Sequence, residues 1–124
     1  MCGICGFFGE GTVMSADMLE HMNNMLIRRG PDESGTFQEP GVGLAMRRLS
    51  VIDLHGGSQP MHNEDSTIWV VFNGEIYNYR DLRVSLLQRG HRFYTNSDTE
   101  VIVHLYEEYG DKLVDHLCGM FAFS

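Results

Sequence analysis

No run of apolar residues in this chain approaches the length of a transmembrane helix, and its N-terminus shows neither the basic region nor the apolar stretch of a secretory signal. Cationic side chains are scarce. Nine Lys and Arg stand against seventeen Asp and Glu, a formal charge of −8, which disfavours a nucleic acid or an anionic membrane as partner and leaves small polar substrates open. Cysteine is scarce too: three thiols, an odd number without a spaced framework, argue against a disulfide scaffold and for reduced cysteines in a cytoplasmic protein. There is no internal repeat and no low-complexity tract. What remains is 124 residues, 43% hydrophobic and 21% charged, the makeup of one ordinary globular domain with a real core.

One of the few cysteines stands second in the chain, in Met1-Cys2-Gly3-Ile4-Cys5-Gly6. Removal of Met1 would make Cys2 the first residue and bring its own α-amine beside its own sulfur, a nucleophile and a general base in one residue. The amine's ordinary pKa of about 7.7 to 8.0 leaves much of it free near neutral pH. Three other uses compete. Cys2 and Cys5 would be half of a zinc site, but a second Cys/His pair at ligand spacing is missing, the six histidines are scattered and Cys118 stands alone. A thioredoxin-like redox pair opens a helix, whereas glycines and aromatics follow here. Simple packing of both thiols in a buried strand is the third. No metal ligand set is expected.

Ile4, Phe7 and Phe8 among glycines read as a short strand. Ser15 is placed to cap a helix from Ala16 to about Arg28, with Met18, Leu19, Met22, Met25 and Leu26 on its core face. Residues 29–35 read as a loop around Pro31. Val42–Asp53 reads as a strand, in which Arg47 and Arg48 point to opposite faces, so that one guanidinium can face inward and grip a carboxylate. A loop from His55 to His62 follows, then a strand over Thr67–Phe72. Asn73-Gly74 predicts a hairpin turn, and the Asn73 amide and the Gly74 N–H can together with it form a donor pair of oxyanion-hole type.

Asn78 is expected to cap a helix through Arg89 with Gly90 as its stop and Leu82, Leu86 and Leu87 inward. Arg92–Thr95 reads as a strand. Ser97-Asp98-Thr99-Glu100 fits a capping box for a helix to Tyr109, leaving Asp98 free to meet a cation. A short helix over Asp111–Leu117 and a strand from Met120 to Phe123 complete a mixed α and β pattern around a layered sheet.

Seven segments in order, Met1-Cys2-Gly3-Ile4, Arg29-Gly30-Pro31-Asp32, Arg48-Leu49-Ser50, Gln59-Pro60, Asn73-Gly74-Glu75-Ile76-Tyr77-Asn78, Ser97-Asp98-Thr99-Glu100 and Gly119-Met120-Phe121-Ala122-Phe123, resemble the N-terminal glutaminase domain of class II glutamine amidotransferases, in its asparagine synthetase branch. The resemblance covers the whole chain, 1–124, as one type 2 domain. It implies an α+β N-terminal-nucleophile fold, an αββα sandwich, that hydrolyses glutamine to glutamate and ammonia without a cofactor. It further implies Cys2 as nucleophile, Asn73 and Gly74 as oxyanion donors, Arg48 at the substrate carboxylate, Asp98 at its ammonium, and backbone groups near Val51, Ile52 and Glu75 positioning the amino acid.

Arg28 and Met46 depart from the family pattern, which usually has histidine at the first position and often near the second. The family's glutaminase domain also continues with further strands and is followed by a synthetase domain that uses ATP and Mg to amidate aspartate. An α+β sandwich incomplete at its C-terminus would expose a sheet face, so a homodimer covering it, or a fragment of a longer product, is expected. A catalytically silent glutamine-binding or subunit-interaction module is the alternative to an enzyme.

Overall fold

The computed structural model describes residues 2–11, 14–50 and 57–124. Strand β1 (Gly3–Phe8) is followed by helix α1 (Ala16–Asn24) and the hairpin β2 (Glu33–Glu39) and β3 (Val42–Arg48). All pairing is antiparallel and β3 is central, with Gly3 opposite Arg47 on one side and Glu33 opposite Arg48 on the other. α1 covers one face of this sheet. Ile4, Phe37, Leu44 and Met46 on the other face pack against Val71 and Trp69. The second β layer holds β4 (Met61–His62) paired with β5 (Trp69–Val70), and β6 (Phe72–Ile76) paired with β7 (Gly119–Phe123). Behind it lie α2 (Tyr79–Gln88), α3 (Glu100–Tyr109) and a 3₁₀ turn over Gly110–His116. Helix, sheet, sheet and helix therefore succeed one another, the αββα order that the family resemblance implies.

α3 is the innermost helix. Its residues Glu100 to Leu105 are all buried, and Val101, Ile102, Val103 and Leu105 form the main core with Met61, Phe72, Ile76 and Leu86. Burying such side chains stabilises the fold by about 1.5–3 kcal/mol each.

Several local expectations are corrected. α1 stops at Asn24 instead of Arg28, because the chain must descend onto β3: a Cβ on Gly30 would sit 2.2 Å from the Arg47 carbonyl oxygen. Three-residue bonds, Leu26 N–H to Asn23 O, Ile27 to Asn24 and Arg29 to Leu26, tighten the exit. Leu19 is buried as predicted, but Met18 and Met25 face solvent. The expected loop 29–35 gives way to β2 at Glu33, and the expected strand over 67–72 is broken into β5 and β6.

Asn73-Gly74 is not a hairpin turn; it lies within β6, whose partner β7 arrives from far along the chain. Asn78 is the N-cap residue of α2 as expected, but its side chain makes no capping bond. Its amide bridges His116 O and the Cys118 N–H instead, each at 2.9 Å. Gly90 at φ +103° does stop the helix, while Leu87 faces solvent. Residues 92–95 form no strand, because the Glu100 carboxylate takes the Tyr94 and Thr95 N–H groups, each at 2.8 Å. The capping box is thereby replaced: Ser97 Oγ accepts from Thr99 N, and Glu100 reaches past Ser97.

Candidate active site

The register of β1 decides where Cys2 lies. With Gly3 opposite Arg47, the residue before it comes level with the end of β3. Cys2 Sγ accepts the Leu49 N–H at 3.4 Å and points its thiol at Leu49 O at 3.7 Å, while Arg29 Nε donates to the Cys2 carbonyl at 3.1 Å. Cys5, an odd number of residues along an extended chain, falls on the opposite face, which removes the CxxC reading. Burial pushes the Cys5 thiol up.

Alternation along β3 puts Arg48 on the face of Leu44 and Met46. It is 4% exposed, with Nη1 3.0 Å from Glu33 Oε2. Ser58 Oγ donates to the same Glu33 oxygen at 3.2 Å. Arg47 points the other way, donating from Nη2 to Asn24 Oδ1 on α1. The two arginines thus divide between the faces as their spacing predicts.

β6 supplies a row of directed N–H groups. Val71 and Ser124 exchange both backbone bonds, and Tyr77 N–H donates to Cys118 O. Ladder bonds in an antiparallel pair fall on alternate residues, so Asn73 and Glu75 continue this ladder towards β7, and the N–H groups of Phe72, Gly74 and Ile76 point away from it. Phe72 donates to Gln59 Oε1 at 2.6 Å and Ile76 to Asp98 Oδ2 at 2.9 Å. By the same alternation the Gly74 N–H points to the side of these two, and Gly74 lines a cavity there. Gly74 has φ +155°, and a Cβ there would lie 2.2 Å from Met120 O, so the close crossing of β7 tolerates no side chain.

The cavity measures about 400 Å³, and its lining includes Cys2, Arg48, Gln59, Asn73, Gly74, Glu75 and Asp98. That is the scale of a small-molecule site. One wall carries a buried guanidinium and another a buried carboxylate. Asp98 is 5% exposed; burial pushes its carboxyl above the ordinary carboxylate range, the Glu75 charge adds to this, and N–H groups of Ile76, Asp98 and Thr99 oppose it. Such a group binds a cation readily, since the cation restores its charge. Val51 and Ile52 lie outside the described residues.

Three members of this environment escape the sequence reading: Glu33, which anchors Arg48; Gln59, whose Nε2 also donates to Thr99 Oγ1 at 3.3 Å; and Thr99 itself. Gln59-Pro60 marks a loop but gives no sign that its side chain bridges β6 and α3. A second group, Glu64, His91, His104 and Glu107, gathers away from this cavity. His104 and Glu107, one turn apart, were its one legible sign.

These features define an N-terminal-nucleophile type of α+β domain, and the architecture recurs in a solved structure: glutamine phosphoribosylpyrophosphate amidotransferase from B. subtilis, complexed with ADP and GMP, superposes with a TM-score of 0.72 at 21% identity over 97% of this chain and 34% of that one. Residues 1–124 match the glutamine amidotransferase domain family, and the chain belongs to it. It is 45% identical over 127 residues to asparagine synthetase [glutamine-hydrolyzing] 1 of Bacillus subtilis (strain 168), covering 99% of this chain and 20% of that protein. It is 46% identical over 125 residues to asparagine synthetase [glutamine-hydrolyzing] of Zea mays, covering 99% and 21%. The chain therefore spans about a fifth of the length of these relatives. Among the described residues, no helix is long and apolar enough to cross a membrane.

Proposed function

We propose that this chain is the glutaminase part of an asparagine synthetase-type enzyme, hydrolysing glutamine to glutamate and ammonia. The observation that supports this is the meeting of Cys2, Arg48, Asn73, Gly74 and Asp98 on one cavity.

Arg48 takes the substrate α-carboxylate, held in orientation by Glu33. Asp98 takes the α-ammonium, and backbone groups at Val51, Ile52 and Glu75 complete the positioning. The side-chain amide then points at Cys2. Once Met1 is removed, the Cys2 α-amine accepts the thiol proton as sulfur attacks the amide carbon. The carbonyl oxygen becomes an oxyanion, and Asn73 Nδ2 with the Gly74 N–H hydrogen-bonds it. Collapse of this intermediate breaks the C–N bond, the amine returns its proton to nitrogen, and ammonia leaves a thioester on Cys2. Water, giving a proton to the same amine, attacks the thioester; the thiolate leaves, regains the proton, and glutamate departs. No step requires a cofactor. The ammonia is passed to an ATP- and Mg-dependent synthetase partner that amidates aspartate.

Intact mass measured after incubation with a diazo-ketone analogue of glutamine tests the scheme, because one spectrum reads both the N-terminus and the adduct. Loss of Met1 with a single adduct, absent in Cys2→Ala, is expected. Full glutamine turnover by Cys2→Ala would refute the assignment. Glutamine binding without hydrolysis in the processed parent would favour the silent binding module.

A further inference from the structure

We propose that Glu64, His91, His104 and Glu107 form a binding site for a divalent transition metal of zinc type, distinct from the glutamine cavity. The four residues come from three places: Glu64 follows β4, His91 follows the Gly90 stop of α2, and His104 and Glu107 share one face of α3.

One donor atom from each lies within 4.8 Å of all the others. His104 Nδ1 is 3.3 Å from Glu107 Oε2 and 3.4 Å from Glu64 Oε2. His91 Nδ1 is 3.3 Å from Glu107 Oε2 and 3.8 Å from Glu64 Oε1. Zinc with bonds of about 2.0–2.1 Å sets its tetrahedral ligands about 3.3–3.4 Å apart. Three of these four nitrogen-to-oxygen distances thus match the spacing of a loaded site, and the fourth, to the other Glu64 oxygen, is longer.

The outer nitrogens supply a second, independent observation. His91 Nε2 lies 3.0 Å from Glu108 Oε1, and His104 Nε2 is directed at Glu100 Oε1, 3.6 Å away. All four ring nitrogens therefore face carboxylate oxygens, although a neutral imidazole carries one N–H. His104 is fully buried, and its Nε2 has no hydrogen-bond partner. A metal on the Nδ1 side of both rings leaves an Nε2–H aimed at a carboxylate on each, the arrangement that orients metal-bound histidine. The carboxylates are steadied as well: Asn63 Nδ2 donates to Glu107 Oε1 at 3.0 Å and Arg92 N to Glu64 Oε1 at 2.7 Å. Four protein ligands make a closed, structural site. It would tie the 62–64 segment and the residue-91 loop to α3, the helix that follows Asp98.

Two imidazolium charges would do the same electrostatic work as one divalent ion, and the test separates them. Purified, tag-free protein stripped with chelator is titrated with Zn²⁺ by calorimetry and with Co²⁺ in the visible. One ion per site, intense four-coordinate Co²⁺ bands and an unfolding temperature that rises with Zn²⁺ are expected. His91→Ala and Glu107→Gln should abolish all three signals while keeping the metal-free far-UV spectrum, and Glu108→Gln should weaken binding by about ten- to a hundredfold. Cys2→Ser and Cys5→Ser should leave binding intact. No saturable binding, or binding that survives His91→Ala with Glu107→Gln, or that is lost with the two cysteines, overturns the proposal.

Discussion

Asp98 Oδ2 accepts the backbone N–H of Ile76 at 2.9 Å, which joins the junction before α3 to the strand that carries Asn73 and Gly74. One buried carboxylate thereby fixes the distance between the proposed ammonium site and the proposed oxyanion site. Its raised pKa gives a pH dependence with a definite sign. Asp98 must be ionised to hold the substrate ammonium, so kcat/KM for glutamine should fall as pH drops through a value above the ordinary 3.8. Stability runs the opposite way: a folded pKa above the unfolded one gives a contribution present below the unfolded pKa and lost as pH rises through the folded pKa. Asp98→Asn should therefore gain in unfolding temperature relative to the parent at neutral pH while its KM for glutamine rises. An unchanged KM in that variant would remove Asp98 from the substrate site.

Asn73 and Gly74 sit side by side in β6, yet their substitutions should separate. Asn73→Ala removes one oxyanion donor from a half-buried position and should lower kcat about a hundred- to a thousandfold with little change in unfolding temperature. Gly74→Ala forces a Cβ to within 2.2 Å of Met120 O at φ +155°, so β7 must shift. Overpacking of this kind costs about 1–3 kcal/mol, and the variant should lose stability as well as rate. Parallel thermal melts and single-turnover assays distinguish them; equal melting losses would count against the assignment of Asn73.

Legibility followed the range of the interaction. Ser15 as a cap, Gly90 as a stop and the opposed faces of Arg47 and Arg48 depend on a few neighbouring residues, and all three are present. Asn73-Gly74 misled because its local turn propensity is strong, while its pairing with Phe121 and Ala122 depends on residues almost fifty places later. Arg92–Thr95 misled for the same reason in reverse: a single buried carboxylate, Glu100, offered its N–H groups a partner that no strand propensity encodes. The order of the seven motifs identified the family where single residues could not. Gln59 stands in a recognised motif, but nothing local tells that its side chain bridges Phe72 and Thr99; Glu33 carries no signature, and only the register of β2 on β3 brings it opposite Arg48.

Glu33 offers a test of positioning as opposed to direct contact. Its carboxylate holds Arg48 Nη1 at 3.0 Å but is itself about one-third exposed, so part of the interaction is screened by solvent. Hydrogen bonds to charged groups contribute about 1.5–3 kcal/mol, and the exposure favours the lower end. Glu33→Ala should raise KM for glutamine roughly tenfold with kcat much less affected. Arg48→Lys, which keeps the charge and loses the planar fork, should raise KM further. A Glu33→Ala enzyme with normal KM but reduced kcat would show that the pair serves the chemistry and not the carboxylate grip.

Glu100 is the buried group on which the 92–99 segment depends. It accepts from Tyr94 N, Thr95 N and Thr95 Oγ1. Burial alone would raise its pKa, but the nearby His104 ring, with Nε2 3.6 Å away, and hydrogen bonds from Thr95 Oγ1 and the Tyr94 and Thr95 N–H groups outweigh that and hold it below the ordinary carboxylate value. Its contribution to stability is therefore present at neutral pH and lost as pH falls through the lowered folded value. Glu100→Gln keeps the shape but turns an NH₂ towards donors, leaving at least one buried N–H unpaired at a cost of about 1–3 kcal/mol. Because Asp98 lies in the same segment, the variant should both melt earlier and bind glutamine more weakly. Hydrogen exchange at Tyr94 and Thr95 gives the direct readout: faster exchange at these two amides than across β1 is expected, and unchanged protection would show that the segment is held by something other than Glu100.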